Sequence, residues 1–299
     1  MADRYWIGGS GSWVSTTKWS TASGGSGGAS VPTAADNVFF DQNSDAGLGT
    51  ITVSFASGIN MLALNCSAAD QNIVFNSGSA VNVYGNLTLP TDTSKTVDVT
   101  LCSSGAGINM LPAVQRAITS NGGTLLGGMT MNGAGGITLQ DTFSITGTFL
   151  LTAGNFNLSG QNFNMAAFNS TTTTGVRTIS WTTAGSTITI TGSGTAPWNL
   201  VSGTNLTITG TSVIDLTASP SGITIVIRNT TGSTALSVNI NIKGGTDNVQ
   251  FYAASFLRTV DFTGFSGTWD STAFTLCGDL TLSTGMTCGT GANVVTITN

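Results

Sequence analysis

Any carboxylate chemistry in this chain falls to aspartate. All 13 acidic residues are Asp, with no Glu and no His. Imidazole is the usual proton shuttle near neutral pH and the commonest metal ligand. Ser/His/Asp triads, Cys/His nucleophiles and ordinary zinc hydrolase centres are therefore excluded. Carboxylate pairs remain. A glycosidase-type site holds an acid and a base roughly 5 to 9 Å apart, and a polysaccharide lyase gathers several carboxylates around Ca²⁺. Here Asp141, Asp215, Asp261, Asp270 and Asp279 stand singly, and no Asp-Asp or Asp-x-Asp occurs. The nearest approach to a catalytic group is Asp261 with Asp270 and Arg258, close enough in sequence for adjacent layers of structure to bring together. Aspartate is also a favoured bend residue, and turn chemistry is the reading adopted. No catalytic residue is assigned, and no enzymatic activity is expected.

Two binding chemistries deserve the same test. Asp41-Gln42-Asn43-Ser44-Asp45-Ala46-Gly47 places oxygen side chains at alternate positions, as a calcium loop does. Its Gly falls one place late, and Thr52 stands where a bidentate Glu would close the shell. A turn is expected there, with no metal and no cofactor. Aromatic rings stack on sugars, but Trp181, Trp198 and Trp269 each sit in an alternating strand, where packing in the core is the expectation. Tyr84 and Tyr252 are no more specific. Asn-x-Ser/Thr triplets such as Asn86-Leu87-Thr88 read as turn chemistry.

Charged residues make up only 7% of the chain, against roughly 25% in an ordinary soluble domain. Water-facing positions must therefore be Ser, Thr, Asn and Gly. A net charge of −5 with eight scattered cations offers no basic stripe for phosphates, so nucleic acid is not an expected partner. No window reaches a membrane-spanning apolar length, and Met1-Ala2-Asp3-Arg4 begins no secretory leader. Cys66, Cys102, Cys277 and Cys288 lack a C-x-x-C pair and are expected as buried thiols of a protein made in a reducing cytoplasm. A Cys277–Cys288 disulfide stays open.

The elements that position these residues fall into two regions. Residues 1–48 carry Trp6, Trp13 and Trp19 in a Gly/Ser-rich setting. They form a small aromatic cap or anchor whose rings pack either on the first turn of the main domain or on a neighbouring protein. From residue 49 to 299, short apolar–polar–apolar triplets recur between Gly, Asn, Ser and Thr: Ile137-x-Leu139, Phe143-x-Ile145, Phe149-x-Leu151, Phe156-x-Leu158 and Phe163-x-Met165. Such triplets are strands with one buried face. Their close spacing suits a solenoid better than a sandwich. The fold class expected is all-β, a parallel β-helix (β-solenoid) behind the N-terminal cap. At roughly 20 to 28 residues per coil, the body would make on the order of ten coils and a rod about 50 Å long. Near-copies at 57–62 and 106–111 support stacking. Leu111 to Ile118 breaks the pattern, as a turn or two of helix after Pro112 or as a β-bulge.

One resemblance adds to this. Arg4-Tyr5-Trp6-Ile7-Gly8-Gly9-Ser10-Gly11-Ser12-Trp13, Lys18-Trp19-Ser20, Gly24-Gly25 and Pro32 to Asp41 resemble the N-terminal signature of tailed-phage virion proteins. Related openings occur in large bacterial surface proteins with autotransporter-like repeats. Phe262 to Trp269, followed by Gly278-Asp279-Leu280-Thr281-Leu282, is similar to the last coils of that group. Together these stretches cover about 80 residues at the two ends and carry no catalytic motif.

The resemblance implies a non-enzymatic virion structural protein, assembled in the host cytoplasm, that decorates or cements the capsid. The alternative is a tail fibre that recognises a host surface glycan. Implied partners are the major capsid protein or tail proteins and copies of the chain itself, with a trimer expected. The anchoring residues expected are Tyr5, Trp6, Trp13, Trp19, Phe39 and Phe40.

Overall fold

A short strand with inward apolar and outward polar side chains is the repeating part of this fold. In the computed structural model such strands stack in parallel, coil upon coil, so that the chain is an all-β parallel β-solenoid. The structure describes residues 1–45, 47, 49–102, 107–181, 185–192, 196–200, 204–210, 212–216, 224–229, 238–246, 248–251, 255–270, 273–276, 278–289 and 294–297. Tyr252 and Cys277 lie outside the described residues. Contacts divide the chain into two units, Met1–Asn155 and Phe156–Asn299.

In the first unit each full coil contributes three strands, one to each of three walls. The first wall stacks Asp3–Trp6, Asn37–Phe39, Ala63–Asn65, Leu87–Thr88, Arg116–Thr119 and Ile137–Leu139. Its inward residues Val38, Leu64, Leu87, Ile118 and Leu139 form one register ladder, and all are buried. Burying each such side chain is worth about 1.5–3 kcal/mol. The second wall includes Thr50–Ser54, Asn72–Asn76, Val97–Leu101 and Thr124–Leu126, and the third includes Ile59–Met61, Val81–Val83, Ile108–Met110 and Met129–Asn132.

The near-copies of the sequence fall into place on this third wall. Ile59–Met61 and Ile108–Met110 lie two coils apart, with Val81–Val83 between them; Ala106 is outside the described residues. Coil length past the cap varies in this unit, from 20 residues between the register partners Met129 and Phe149 to 31 between Leu87 and Ile118. The longer coil contains the irregular segment after Met110. No helix forms there: a bend at Ala113 and Val114 leads directly into the strand Arg116–Thr119. Val114 is left 56% exposed at its tip. Gly154 adopts φ +92°, where an added Cβ would collide with the Gly133 carbonyl of the neighbouring coil.

The cap belongs to the same construction. Asn37–Phe39 pairs in parallel with Asp3–Trp6 on one side and with Ala63–Asn65 on the other, so the wall runs unbroken past residue 48. Trp19–Ser20 lies antiparallel on the outer edge of Asp3–Trp6. That strand covers backbone groups that an uncapped first coil would leave open.

The second unit stacks Phe163–Met165, Thr187–Ile190, Ser212–Leu216, Val238–Ile242, Thr259–Asp261 and Leu280–Thr281 on one wall. Phe163, Ile188, Ile214, Ile240 and Val260 are its buried ladder. Another wall pairs Ala167–Ser170 with Trp198–Leu200, and Phe168 stacks on Trp198 with ring centroids 4.2 Å apart. Arg177 is fully buried in this unit. Its guanidinium donates to the Ser170 hydroxyl at 2.7 Å and to the carbonyls of Gly175 and Thr204. Desolvation lowers its pKa from the ordinary arginine value.

Candidate functional site

The N-terminal rings form one connected cluster. Trp13 meets Trp19 edge to face at 4.7 Å, and Trp19 meets Trp6 in the same way at 5.0 Å. Trp6 then stacks near Phe40, and Phe40 reaches Phe75 of the following coil. Each pair adds about 0.5–1.5 kcal/mol beyond its burial. The polar handles are satisfied inside: Trp6 Nε1 donates to the Gly9 carbonyl and Trp19 Nε1 to that of Trp13.

Of the six residues expected to anchor, Trp6, Trp13, Trp19 and Phe40 are 2% exposed or less. They pack on the protein's own first coils and shape the cap from within. Tyr5 and Phe39 point to the other face of the same strands, half-buried, and their rings stack at 4.7 Å. They are the two rings of the set with surface to offer.

Asp36 ties the cap's first strand to its last turn. One carboxylate oxygen accepts from the Ala2 backbone N–H at 3.0 Å, and the other from the Thr33 N–H and hydroxyl at 3.1 and 2.8 Å. Burial raises its pKa, but these hydrogen bonds and the Arg4 charge outweigh burial and hold the carboxyl below the ordinary aspartate value.

The calcium-like stretch is a pair of turns. Asp41 Oδ1 accepts from the Asn43 N–H, and Asp45 accepts from the N–H groups of Gly47 and Gly49. Among the described residues no group of three or more His, Cys, Asp or Glu is placed to hold a metal.

The structure does not stack Asp261 with Asp270. Asp261 pairs in register with Asn241 and Thr281, whereas Asp270 follows Trp269, whose partners are Val249 and Cys288 on another wall. Asp261 Oδ1 accepts from the N–H and hydroxyl of Thr263, a turn role. Asp215 forms a salt bridge with Lys243 at 2.7 Å.

All six tryptophans are 4% exposed or less. Cys66 and Cys102 are buried thiols, whereas Cys288 is exposed: it stands in register with the buried Trp269, but among the described residues no further strand stacks on Thr287–Cys288 to cover it.

Sequence reasoning missed the arrangement on the outer face of the third wall. Asn60, Asn82 and Asn109 share a register column. Asn109 Nδ2 donates to Asn82 Oδ1 at 3.0 Å, and Asn82 Nδ2 donates to Asn60 Oδ1 at 3.2 Å. The Tyr84 hydroxyl lies 3.4 Å from the same Asn60 oxygen. Every amide in the column points the same way, so the Asn60 amide nitrogen is left without a partner among the described residues. The signal was the shared pattern of apolar, Asn, apolar in Ile59-Asn60-Met61, Val81-Asn82-Val83 and Ile108-Asn109-Met110.

Beside Asn60 an open groove of about 300 Å³ lies between the Ser12–Val14 turn, Val31–Pro32 and the Phe55–Asn60 bend. Trp13, Pro32, Phe55 and Ile59 form its apolar wall, and no charged residue lines it. Among the described residues no helix is long and apolar enough to cross a membrane. No protein-family model matches the chain, and comparisons with curated proteins and with solved structures give no match either.

Proposed function

We propose that this chain is a non-enzymatic structural protein of a tailed-phage particle, decorating or cementing the capsid surface beside copies of itself. The observation that carries the reading is the use of its polar groups. Outward amides bond to one another in columns, as Asn60, Asn82 and Asn109 do. The carboxylates of Asp36, Asp41, Asp45 and Asp261 accept hydrogen bonds from their own turns.

A surface of this kind forms contacts without leaving charges desolvated. Among the described residues no group of three or more acids converges. The N-terminal resemblance supplies the particle. The cap, with Tyr5 and Phe39 on its outer face, is the part proposed to meet the major capsid protein or a tail protein. A glycan-reading tail fibre is the rival; the tryptophans are buried, and the half-buried rings it could use among the described residues include that same pair and Tyr84.

Quantitative mass spectrometry of purified particles tests the proposal. Hundreds of copies per particle are expected for capsid decoration, and a few to a few dozen would move the protein to the tail. Absence from purified particles would overturn the reading.

A further inference from the structure

We propose that Asn132 is a site of spontaneous covalent modification, losing its side-chain nitrogen as ammonia through a cyclic imide with Gly133, while the fold protects the chemically equivalent pair Asn121-Gly122. These are the two Asn-Gly pairs of the chain. In such a pair the glycine has no Cβ to keep its backbone nitrogen away from the preceding carboxamide, so the two groups can meet. The local sequence treats both pairs alike. Their surroundings separate them.

Asn121 is held at both reacting groups. Its Nδ2 donates to the Leu89 carbonyl at 2.8 Å, and its backbone N–H donates to the Asp141 carboxylate at 2.6 Å, in a turn with φ +53° at Asn121. The nitrogen that would attack, that of Gly122, donates to the Ser120 hydroxyl at 3.1 Å. Carboxamide and nitrogen must each give up a hydrogen bond before they meet.

Asn132 has neither restraint. It is the exposed last residue of the strand Met129–Asn132, where the pairing with the next coil slips from Leu151 to Ala153. Among the described residues its carboxamide has no hydrogen-bond partner, and neither has the Gly133 N–H. Gly133 is buried against Pro112, whose nitrogen would lie 2.3 Å from an added Cβ. Its nitrogen therefore turns within a packed corner, which slows the reaction relative to the unfolded chain without blocking it.

Solvent base takes the Gly133 N–H proton as the nitrogen attacks Asn132 Cγ. A new C–N bond forms, the Cγ–Nδ2 bond breaks, and the side-chain nitrogen leaves as ammonia. Water then opens the imide at either carbonyl, giving an aspartyl or an isoaspartyl link and one new carboxylate at the end of the third-wall strand. The chemistry needs no particle, so it stands or falls separately from the proposed function.

Peptide mapping by mass spectrometry tests the proposal on the full chain, aged in mildly alkaline native buffer and in urea. In native buffer, modification at Asn132 should outrun that at Asn121 by about tenfold or more, the factor that two restraining hydrogen bonds supply. In urea the two pairs should react at similar rates. Asn132→Gln, whose longer side chain must close a larger ring, should release less ammonia than wild type in native buffer. Equal native rates at the two pairs, an Asn132 that stays intact in native buffer while it reacts in urea, or unchanged ammonia release from Asn132→Gln would each overturn the proposal.

Discussion

Asn82 joins two hydrogen bonds of opposite sense: its nitrogen donates to Asn60 at 3.2 Å, and its oxygen accepts from Asn109 at 3.0 Å. Removing this central amide breaks both at once. Asn82→Ala should therefore cost about 1–2 kcal/mol, read as a lower midpoint in urea unfolding. Asn82→Asp should behave differently with pH. Its carboxylate can accept from Asn109 but cannot donate to the Asn60 oxygen while ionised. The variant should be less stable at pH 7 than at pH 3, relative to wild type. An Asn82→Ala midpoint equal to that of wild type would show that the column contributes nothing to stability.

The Asp36 clasp makes the cap sensitive to acid in a defined direction. Its folded-state pKa lies below the ordinary value, so the ionised form is favoured in the folded protein. The stability it supplies is present in full above the unfolded pKa of about 3.9. It is lost as pH falls through the lower folded value. Tryptophan fluorescence reports on this region, since three of the six tryptophans, Trp6, Trp13 and Trp19, lie in the cap. Asp36→Asn keeps one accepting oxygen and loses the charge. It should lower the melting temperature at pH 7, and its difference from wild type should shrink below about pH 4. A difference that stayed constant with pH would remove the clasp from the account.

How much of this was readable beforehand depended on the range of the interaction. Phe143-x-Ile145 and Phe163-x-Met165 were legible because a strand's two-residue alternation is local, and all four side chains are buried as that alternation requires. The rings of Trp6, Trp13 and Trp19 showed that an aromatic cluster existed, but not which surface it covered. That depends on an antiparallel pairing of Trp19 with Trp6, which no local pattern encodes. The asparagine column was hidden by unequal coils. Asn60 and Asn82 are 22 residues apart, whereas Asn82 and Asn109 are 27 apart. A search for a fixed repeat passes over such a ladder. Asp261 and Asp270 illustrate the converse, since closeness in sequence placed them on different walls.

Arg177 is a large cation in a core filled mainly by aliphatic and aromatic groups. Its fork spans the Ser170 hydroxyl and the Gly175 and Thr204 carbonyls, so charge and shape both matter. Arg177→Ala leaves a cavity and removes the hydrogen bonds of the guanidinium to Ser170, Gly175 and Thr204, and should cost about 2–4 kcal/mol in urea unfolding. Arg177→Met refills the volume and should recover most of that loss, because a buried charge carries its own desolvation penalty. If Met were as destabilising as Ala, the hydrogen bonds rather than the packing would be the larger contribution.

The cysteines provide a probe of coil opening that needs no added label in the core. Burial pushes the Cys66 thiol far above its ordinary range, and burial together with the nearby Asp98 charge raises Cys102 to about 11. The reactive species is the thiolate, so both should resist a disulfide reagent at pH 8 until their coils open. Cys288 is exposed at the edge strand and should react at once. In a Cys277→Ser background the expected result under native conditions is one fast equivalent followed by two slow ones. The slow phase should accelerate with urea in step with loss of strand signal in circular dichroism. Three fast equivalents in the absence of denaturant would mean that the coil interior next to Cys66 and Cys102, which follow the strands Ala63–Asn65 and Val97–Leu101, is open to solvent, contrary to the packing described.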